Sequence, residues 1–300
     1  MDQLAALRAL RRVVELGGFT AAADALGVSH TVVSRQIRQL EEQLGAQLLN
    51  RTTRRFALTA AGKDYYEASR QILDALDDAD HAVGQHHARP AGSLRINAPM
   101  AFGTLELATW LPQFLERYPE LQVDLVCNDR IVDLIEDGFD VALRLTRDLP
   151  DSTLIARRLA SSQVLLVASP AYLERYGTPR TPAELSGHNC LAYTLAERPH
   201  EWTFTAPDGA RAVVTVKGNF QANTGIALRT AALAGTGIAT TASFIVHEDL
   251  RRGALVRVLP DHRIRPRELY ALYPQNRHLS PKVRVFVDFA TELYSRRDWD

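Results

Sequence analysis

The apolar positions lay out an order of elements before any side-chain chemistry is considered. Leu4, Leu7, Leu10 and Val14 recur at helical spacing and predict a first helix that stops at Gly17-Gly18. Thr20 precedes a run of small residues, 21–26, that predicts a short second helix ended by Gly27. Ser29 is placed to cap a third helix, where Val33, Ile37, Leu40 and Leu44 form one stripe and Gly45 closes the element. Opposite that stripe stand His30, Thr31, Ser34, Arg35 and Arg38, with 30, 34 and 38 on one side. Residues 48–59 read as two short strands around a hinge that carries Arg51, Arg54 and Arg55 and no acid. A long helix is then predicted from residue 60 to about 87, on the order of 40 Å. Its seam is Tyr65, Ala68, Ile72, Ala75, Ala79 and Val83. So narrow a seam on so long a helix asks for a partner helix, the alternative being packing on its own domain.

Arg89-Pro90-Ala91-Gly92-Ser93 has the composition of a linker, and the pattern changes after it. Strands are predicted at 94–98, 121–125, 141–145, 164–168, 238–241, 255–258 and 269–273. Helices are predicted at 104–118, 130–137, 171–176, 224–234 and 281 to about 296, with a loop at 99–103. Strands alternating with helices indicate an α/β sheet. Two neighbouring segments before the linker also differ in charge. Residues 1–59 hold eight arginines against five acidic residues, net +3, whereas residues 60–90 are net −3.

Composition narrows the function classes. The 300 residues are 46% hydrophobic and 23% charged, a folding composition long enough for two or three domains. No apolar run has the length of a membrane span, and an N-terminus with Asp2 and Glu15 is not a secretory signal, so a cytoplasmic protein without membrane association is expected. No phosphate-binding loop, dinucleotide fingerprint, zinc-protease or serine-hydrolase motif occurs, which argues against an enzyme. His81, His86 and His87 do not share a helix face and no thiol or carboxylate pair completes a site, so neither metal nor cofactor is expected. Cys127 and Cys190 read as small buried hydrophobes in preference to a redox pair.

A short alanine-rich helix, a glycine turn, a helix with a polar outer face and an arginine hairpin, in that order, form the combination expected of a duplex-DNA reader. The segment from Gly17-Gly18-Phe19 through Ala22-Ala23, Leu26, Ser29, Val33-Ser34, Ile37, Leu40-Glu41, Leu44-Gly45, Leu48, Arg51, Leu58-Thr59 and Ala61-Gly62 resembles the DNA-binding segment of LysR-type transcriptional regulators. Ala98-Pro99, Phe102-Gly103, Leu111-Pro112, Tyr118-Pro119, the run from Asp140 to Arg144, and Ala234-Gly235 with Gly237-Ile238 extend the resemblance over essentially the whole chain.

The resemblance implies a winged helix-turn-helix at 1–59, a dimerisation helix at 60–88, a hinge at 89–92 and an effector-binding domain at 93–300. That domain is expected to be two-lobed and periplasmic-binding-protein-like, with lobe I at 93–161 and 268–300 and lobe II at 162–267. Implied partners are double-stranded promoter DNA, a small-molecule effector that is a carboxylate or aromatic metabolite, a second copy or a homotetramer, and RNA polymerase for an activator. The implied DNA contacts are His30, Thr31, Ser34, Arg35, Arg38, Arg51 and Arg54. Histidine at position 30 departs from the family's usual Gln or Lys. The implied effector contacts are Pro99, Met100, Ala101, Phe102, Asn128, Thr194, Asn223, Thr224 and Phe244. Where the family commonly offers a hydroxyl at position 101, Ala101 has none, so that contact is either lost or supplied by the helix start at Phe102-Gly103-Thr104. Asn223 and Thr224 read equally as helix caps and Phe244 as core. Arg144 reads as half of a buried ion pair before a ligand clamp.

Overall fold

The computed structural model of the chain describes residues 2–52, 55–83, 90–130, 132–134, 136–149, 152–275, 279–295 and 299, with backbone alone at 51, 52, 55, 56, 74 and 77–83. It divides into two compact units, 1–89 and 90–300.

In the first unit, helices α1 (Gln3–Glu15), α2 (Phe19–Leu26) and α3 (His30–Leu44) precede a two-stranded antiparallel hairpin, β1 (Leu49–Thr52) and β2 (Arg55–Leu58), and helix α4 (Ala60–Val83). Each break is chemically marked. The Asp2 and Ser29 side chains accept from the amides of Ala5 and Val32, and α2 and α3 end on Gly27 and Gly45 in the left-handed conformation that favours glycine. Ala6, Leu7, Ala9, Leu10, Val13, Ala22, Ala23, Val33, Ile37 and Leu40 make the core, with Leu4 and Leu44 left exposed at its edges.

Helix α4 carries two stripes one residue apart. The stripe that packs onto this core is Tyr66, Ser69 and Leu73. The expected stripe lies one residue round the helix: Ala68, Ile72 and Ala75 are exposed, Ile72 by 54%, and Tyr65 is half-buried. The side chains of Ala79 and Val83, and the predicted helix beyond 83, lie outside the described residues.

The second unit is built on one nine-stranded sheet, in the order β10-β7-β11-β6-β13-β5-β3-β4, with β12 (Val256–Val258) also paired to β6. At one end β4 (Leu121–Cys127), β3 (Gly92–Ala98) and β5 (Val141–Thr146) run parallel. At the other, β10 (Gln221–Ala222), β7 (Cys190–Tyr193) and β11 (Ile238–Ala242) do the same. Two long antiparallel strands, β6 (Leu154–Ala168) and β13 (Ile264–Pro274), join the two sets. Their register shifts between Ile264 and Arg267 and again between Leu269 and Tyr270. Sequence periodicity had found only the ends of these two strands, because a crossover strand changes its buried face as it passes between lobes.

Helix α6 (Ala108–Arg117) and the C-terminal helix α10 (Pro281–Tyr294) pack on the first set of strands through Trp110, Phe114 and Phe286, whose rings lie under 6 Å apart. Lys282, almost fully buried, ties α10 to the sheet through Asp140 at 2.9 Å and the Ser93 carbonyl. On the second set, α8 (Gly225–Leu233) and α9 (Ser243–Arg251) are joined by a two-pronged Arg229–Asp249 pair, with Asp249 5% exposed.

Two expectations are corrected. The predicted loop at 99–103 is helical from its second residue, as α5 (Met100–Phe102) running into a π-helical stretch at Gly103–Leu107, because the Asp129 carboxylate accepts the Met100 amide and starts the helix. The predicted helix at 130–137 is a set of turns in its described residues, with Asp133 accepting from Glu136 and Gly138 turning the chain so that Leu134 and Phe139 are buried; Ile131 and Ile135 lie outside the described residues. Helix α9 and the ribbon of β8 (Glu201–Thr205) and β9 (Arg211–Thr215) were not anticipated. No side chain caps α9, so its start carries no local signal. The ribbon did carry one: alternation of buried Trp202 and Phe204 before a turn at Asp208-Gly209.

Candidate functional site

The first site is the outer face of α3. Because Val33, Ile37 and Leu40 are fully buried, helical geometry turns His30, Thr31, Arg35 and Arg38 to solvent, with Ser34 half-buried between them. Arg35 and Arg38 have no salt-bridge partner among the described residues. The His30 ring lies 5.7 Å from that of Phe19, which braces the start of α3 against α2. Arg51 stands in β1 with only its backbone described, and Arg54 lies outside the described residues.

Three residues beyond the expected set hold α3 and the hairpin together. The Glu41 carboxylate accepts the amides of Leu48 and Leu49, at 2.9 and 3.2 Å, and so fixes where the chain leaves α3 for β1. Thr59 donates its hydroxyl to the Gln47 carbonyl and accepts the Gly62 amide, capping α4. A Cβ on Gly62 would stand 1.9 Å from the Leu48 carbonyl oxygen, so glycine alone permits that approach. Glu41 and Gly62 were visible in the sequence as part of the resembling block, but nothing in their spacing announced a backbone contact.

The second site lies at the C-terminal ends of the parallel strands, the edge of an open α/β sheet where ligands bind. Pro99 and Met100 follow β3, and Asn128 and Asp129 follow β4. Thr194 follows β7, and Asn223 and Thr224 follow β10; the Thr194 amide donates to the Ala222 carbonyl, which brings these two ends together. Thr224 also accepts from the Ile226 amide as the cap of α8. Ala101, Phe102 and Phe244 are turned the other way. Phe102 and Phe244 are buried edge-to-face at 5.6 Å in a cluster with Tyr294 and Trp299.

Electrostatics single out residues that sequence reading passed over. Arg267, at the first register shift of β13, lies with its guanidinium 5.7 Å from the centre of the Tyr193 ring. Burial lowers its pKa, and it makes no hydrogen bond or salt bridge with the described residues. Burial and then the Asp129 charge push the Tyr193 phenol up to about 12. The Asp129 carboxyl is raised by burial, against the Met100 amide and the Arg267 charge, which lower it. Asp129, Tyr193 and Arg267 are therefore electrostatic neighbours drawn from both strand sets and a crossover strand. Arg144 departs from the expected ion pair: it donates to the Asn97 amide oxygen at 2.6 Å and to the Leu143 carbonyl, no acid faces it among the described residues, and its Nη2 is buried without a partner. The Asn128 Oδ1 and Thr241 Oγ1 are likewise buried and unpartnered.

Cys190 is buried as expected, whereas Cys127 is only half-buried. Cys127 packs against Gly103, and Cys190 lies in the second-lobe core, where burial pushes its thiol up to about 12. Their strands are six places apart in the sheet, on the order of 30 Å, too far for a redox pair.

Known proteins share this arrangement. A family model described as the bacterial regulatory helix-turn-helix protein of the lysR family matches residues 4–63, and one described as the LysR substrate binding domain matches residues 87–295. The chain is similar to the transcriptional regulator CrgA of Neisseria meningitidis, 36% identical over 282 residues that cover 94% of this chain and 93% of that one. It is also similar to the transcriptional activator AaeR of Escherichia coli, 36% identical over 98% of this chain and 94% of that one. The solved structure of CrgA from Neisseria meningitidis matches with a TM-score of 0.64 at 34% identity, over 97% and 99% of the two chains. That of the full-length Vibrio cholerae virulence activator AphB matches with a TM-score of 0.61 at 31% identity, again over 97% and 99%. With family models spanning both units and relatives aligned along nearly their whole lengths, the chain belongs to the LysR-type transcriptional regulators, non-enzymatic proteins that join a DNA-binding unit to an effector-binding one.

Proposed function

We propose that the DNA contacts of this regulator are His30, Thr31, Ser34, Arg35 and Arg38 in the major groove and Arg51 and Arg54 on the phosphate backbone. The observation that carries this reading is the pair of exposed guanidiniums on α3, without a salt-bridge partner among the described residues, on a helix whose opposite face is locked into the core. Arg and Ser suit base edges and phosphates, and a helix of this kind fits the groove. Two copies pair through the exposed stripe of α4, Ala68, Ile72 and Ala75, as a homodimer or a dimer of dimers, so that paired reading helices meet spaced half-sites in promoter DNA. The protein works in the cytoplasm, where it either blocks or recruits RNA polymerase. The divisions at 59, 88 and 92, and of the lobes at 161 and 267, are those at which these jobs change hands.

The effector is a small carboxylate held in the cleft among Pro99, Met100, Asn128, Thr194, Asn223 and Thr224. What supports an anion is Arg267, half-buried with no acid bonded to it. The test is fluorescence anisotropy of a labelled promoter fragment, titrated at several salt concentrations. Arg35→Ala is expected to weaken promoter binding and to flatten its salt dependence, with effector binding kept. Promoter affinity equal to that of the unaltered protein removes α3 from the interface. Thr224→Trp is expected to blunt the effector response and spare DNA binding. Loss of DNA binding in that variant overturns the assignment of the cleft.

A further inference from the structure

The cleft offers two kinds of hydrogen-bonding group, and they sit on different strands. The donor is the guanidinium of Arg267 in β13; Arg144 in β5 keeps an Nη2 that is buried without a partner among the described residues. The acceptors are consecutive residues at the end of β4. Asn128 holds a buried amide oxygen without a partner, and Asp129 is a half-buried carboxylate. A guanidinium can only donate and a carboxylate can only accept, so these neighbouring groups ask opposite things of a ligand.

The helix start adds a second constraint. The amide of Met100, the first of the helix, is taken at 2.9 Å by the protein's own Asp129. A ligand carboxylate at that position would meet a second carboxylate in a poorly hydrated site, a pairing that is strongly unfavourable. The negative group of the ligand is thereby turned away from the helix start and toward Arg267.

We propose that the effector is a carboxylate that also carries a neutral or cationic hydrogen-bond donor, a hydroxyl or an amine, with its carboxylate on Arg267 and its donor turned to Asn128 and Asp129. The inference rests on the reading of the cleft as an anion site and adds the chemistry of the neighbouring acceptors. A site built around buried acceptors discriminates sharply, because a ligand without the donor leaves them unpaired. Thr241, whose buried hydroxyl is unpartnered beneath the start of α8, is free to donate or accept and sets no further demand.

Isothermal titration calorimetry on the full-length protein tests this with matched probes: propanoate against lactate and alanine, and benzoate against 3- and 4-hydroxybenzoate and 4-aminobenzoate. In at least one series the donor-bearing compound is expected to bind roughly tenfold tighter or better than its parent. Asn128→Leu is expected to bring the two together, and Arg267→Met to weaken both alike. Asn128→Asp, which keeps an accepting oxygen, is expected to hold the preference, and it decides the matter if the leucine variant does not fold. Equal binding of parent and donor-bearing probes overturns the inference and leaves the carboxylate cleft standing. No binding by any carboxylate overturns both. The hydroxyl and amine arms report which donor the site takes.

Discussion

The two units hold their functional side chains in opposite ways. In the DNA-binding unit the side chains proposed to read the groove lie within nine residues of one another on α3, mostly exposed and carried by a scaffold locked through the caps at Ser29 and Thr59, the Glu41 clasp and the Gly62 approach. In the effector unit the groups proposed to meet the ligand come from residues as far apart as Met100, Asn128, Tyr193 and Arg267, the last three of them half-buried. The contrast follows from the partners. Duplex DNA is a large surface that approaches from solvent, so its readers must project from the fold. A small ligand has to be enclosed, and the enclosing protein therefore holds buried donors and acceptors whose partners come with the ligand.

Breaking each scaffold separately tests this division. The largest effect is expected from Asp249→Ala, which strands Arg229 and costs about 3–5 kcal/mol in the effector unit, read as a fall in the calorimetric transition of that unit with the other unchanged. Gly62→Ala drives a Cβ against the Leu48 carbonyl and is expected to cost about 3 kcal/mol in the DNA-binding unit alone. Removing a single α3 guanidinium, as in Arg35→Ala, is expected to lower promoter affinity by about 1–3 kcal/mol with little change in melting. Ile72→Asp, on an exposed position, is expected to alter protomer stability by less than about 0.5 kcal/mol while dissociating the dimer in analytical ultracentrifugation. A retained dimer moves the interface off this stripe.

A pH series sharpens the same comparison. Tyr193 and Cys190 hold their protons to about 12 in the folded effector unit, against ordinary values of 10 and 9. As pH rises above those ordinary values the unfolded chain ionises first, so the stabilisation present below them is lost progressively up to about 12. Urea midpoints of the effector unit are expected to fall across that window, and Cys190→Ala is expected to remove part of the slope.

Much of this was legible in the sequence where the controlling forces are local. Ser29, Gly27 and Gly45 mark the ends of α2 and α3 because capping and left-handed backbone are properties of one or two residues. The solvent face of α3 followed from its stripe, since a three-helix head has one core to face. The ribbon at β8 and β9 is legible in the alternation of Trp202 and Phe204; α9, without a capping side chain, is not. On α4 two stripes one residue apart, 65-68-72-75 and 66-69-73, each satisfy helical periodicity. Only the core of α1 to α3 decides that the second is buried.

Chain chemistry alone thus settled the order of the elements, the family, and the row of side chains that α3 turns to solvent. Tertiary structure settled the cleft: that Asp129 occupies the helix start, that Arg267 lies over Tyr193, that Arg144 pairs with an amide where an acid was expected, and that Phe102 and Phe244 belong to the core. The physical reason is range. Caps and helix faces are fixed by neighbours within a few residues, whereas a buried site is fixed by which strands lie side by side, and the two crossover strands bring together residues more than a hundred positions apart.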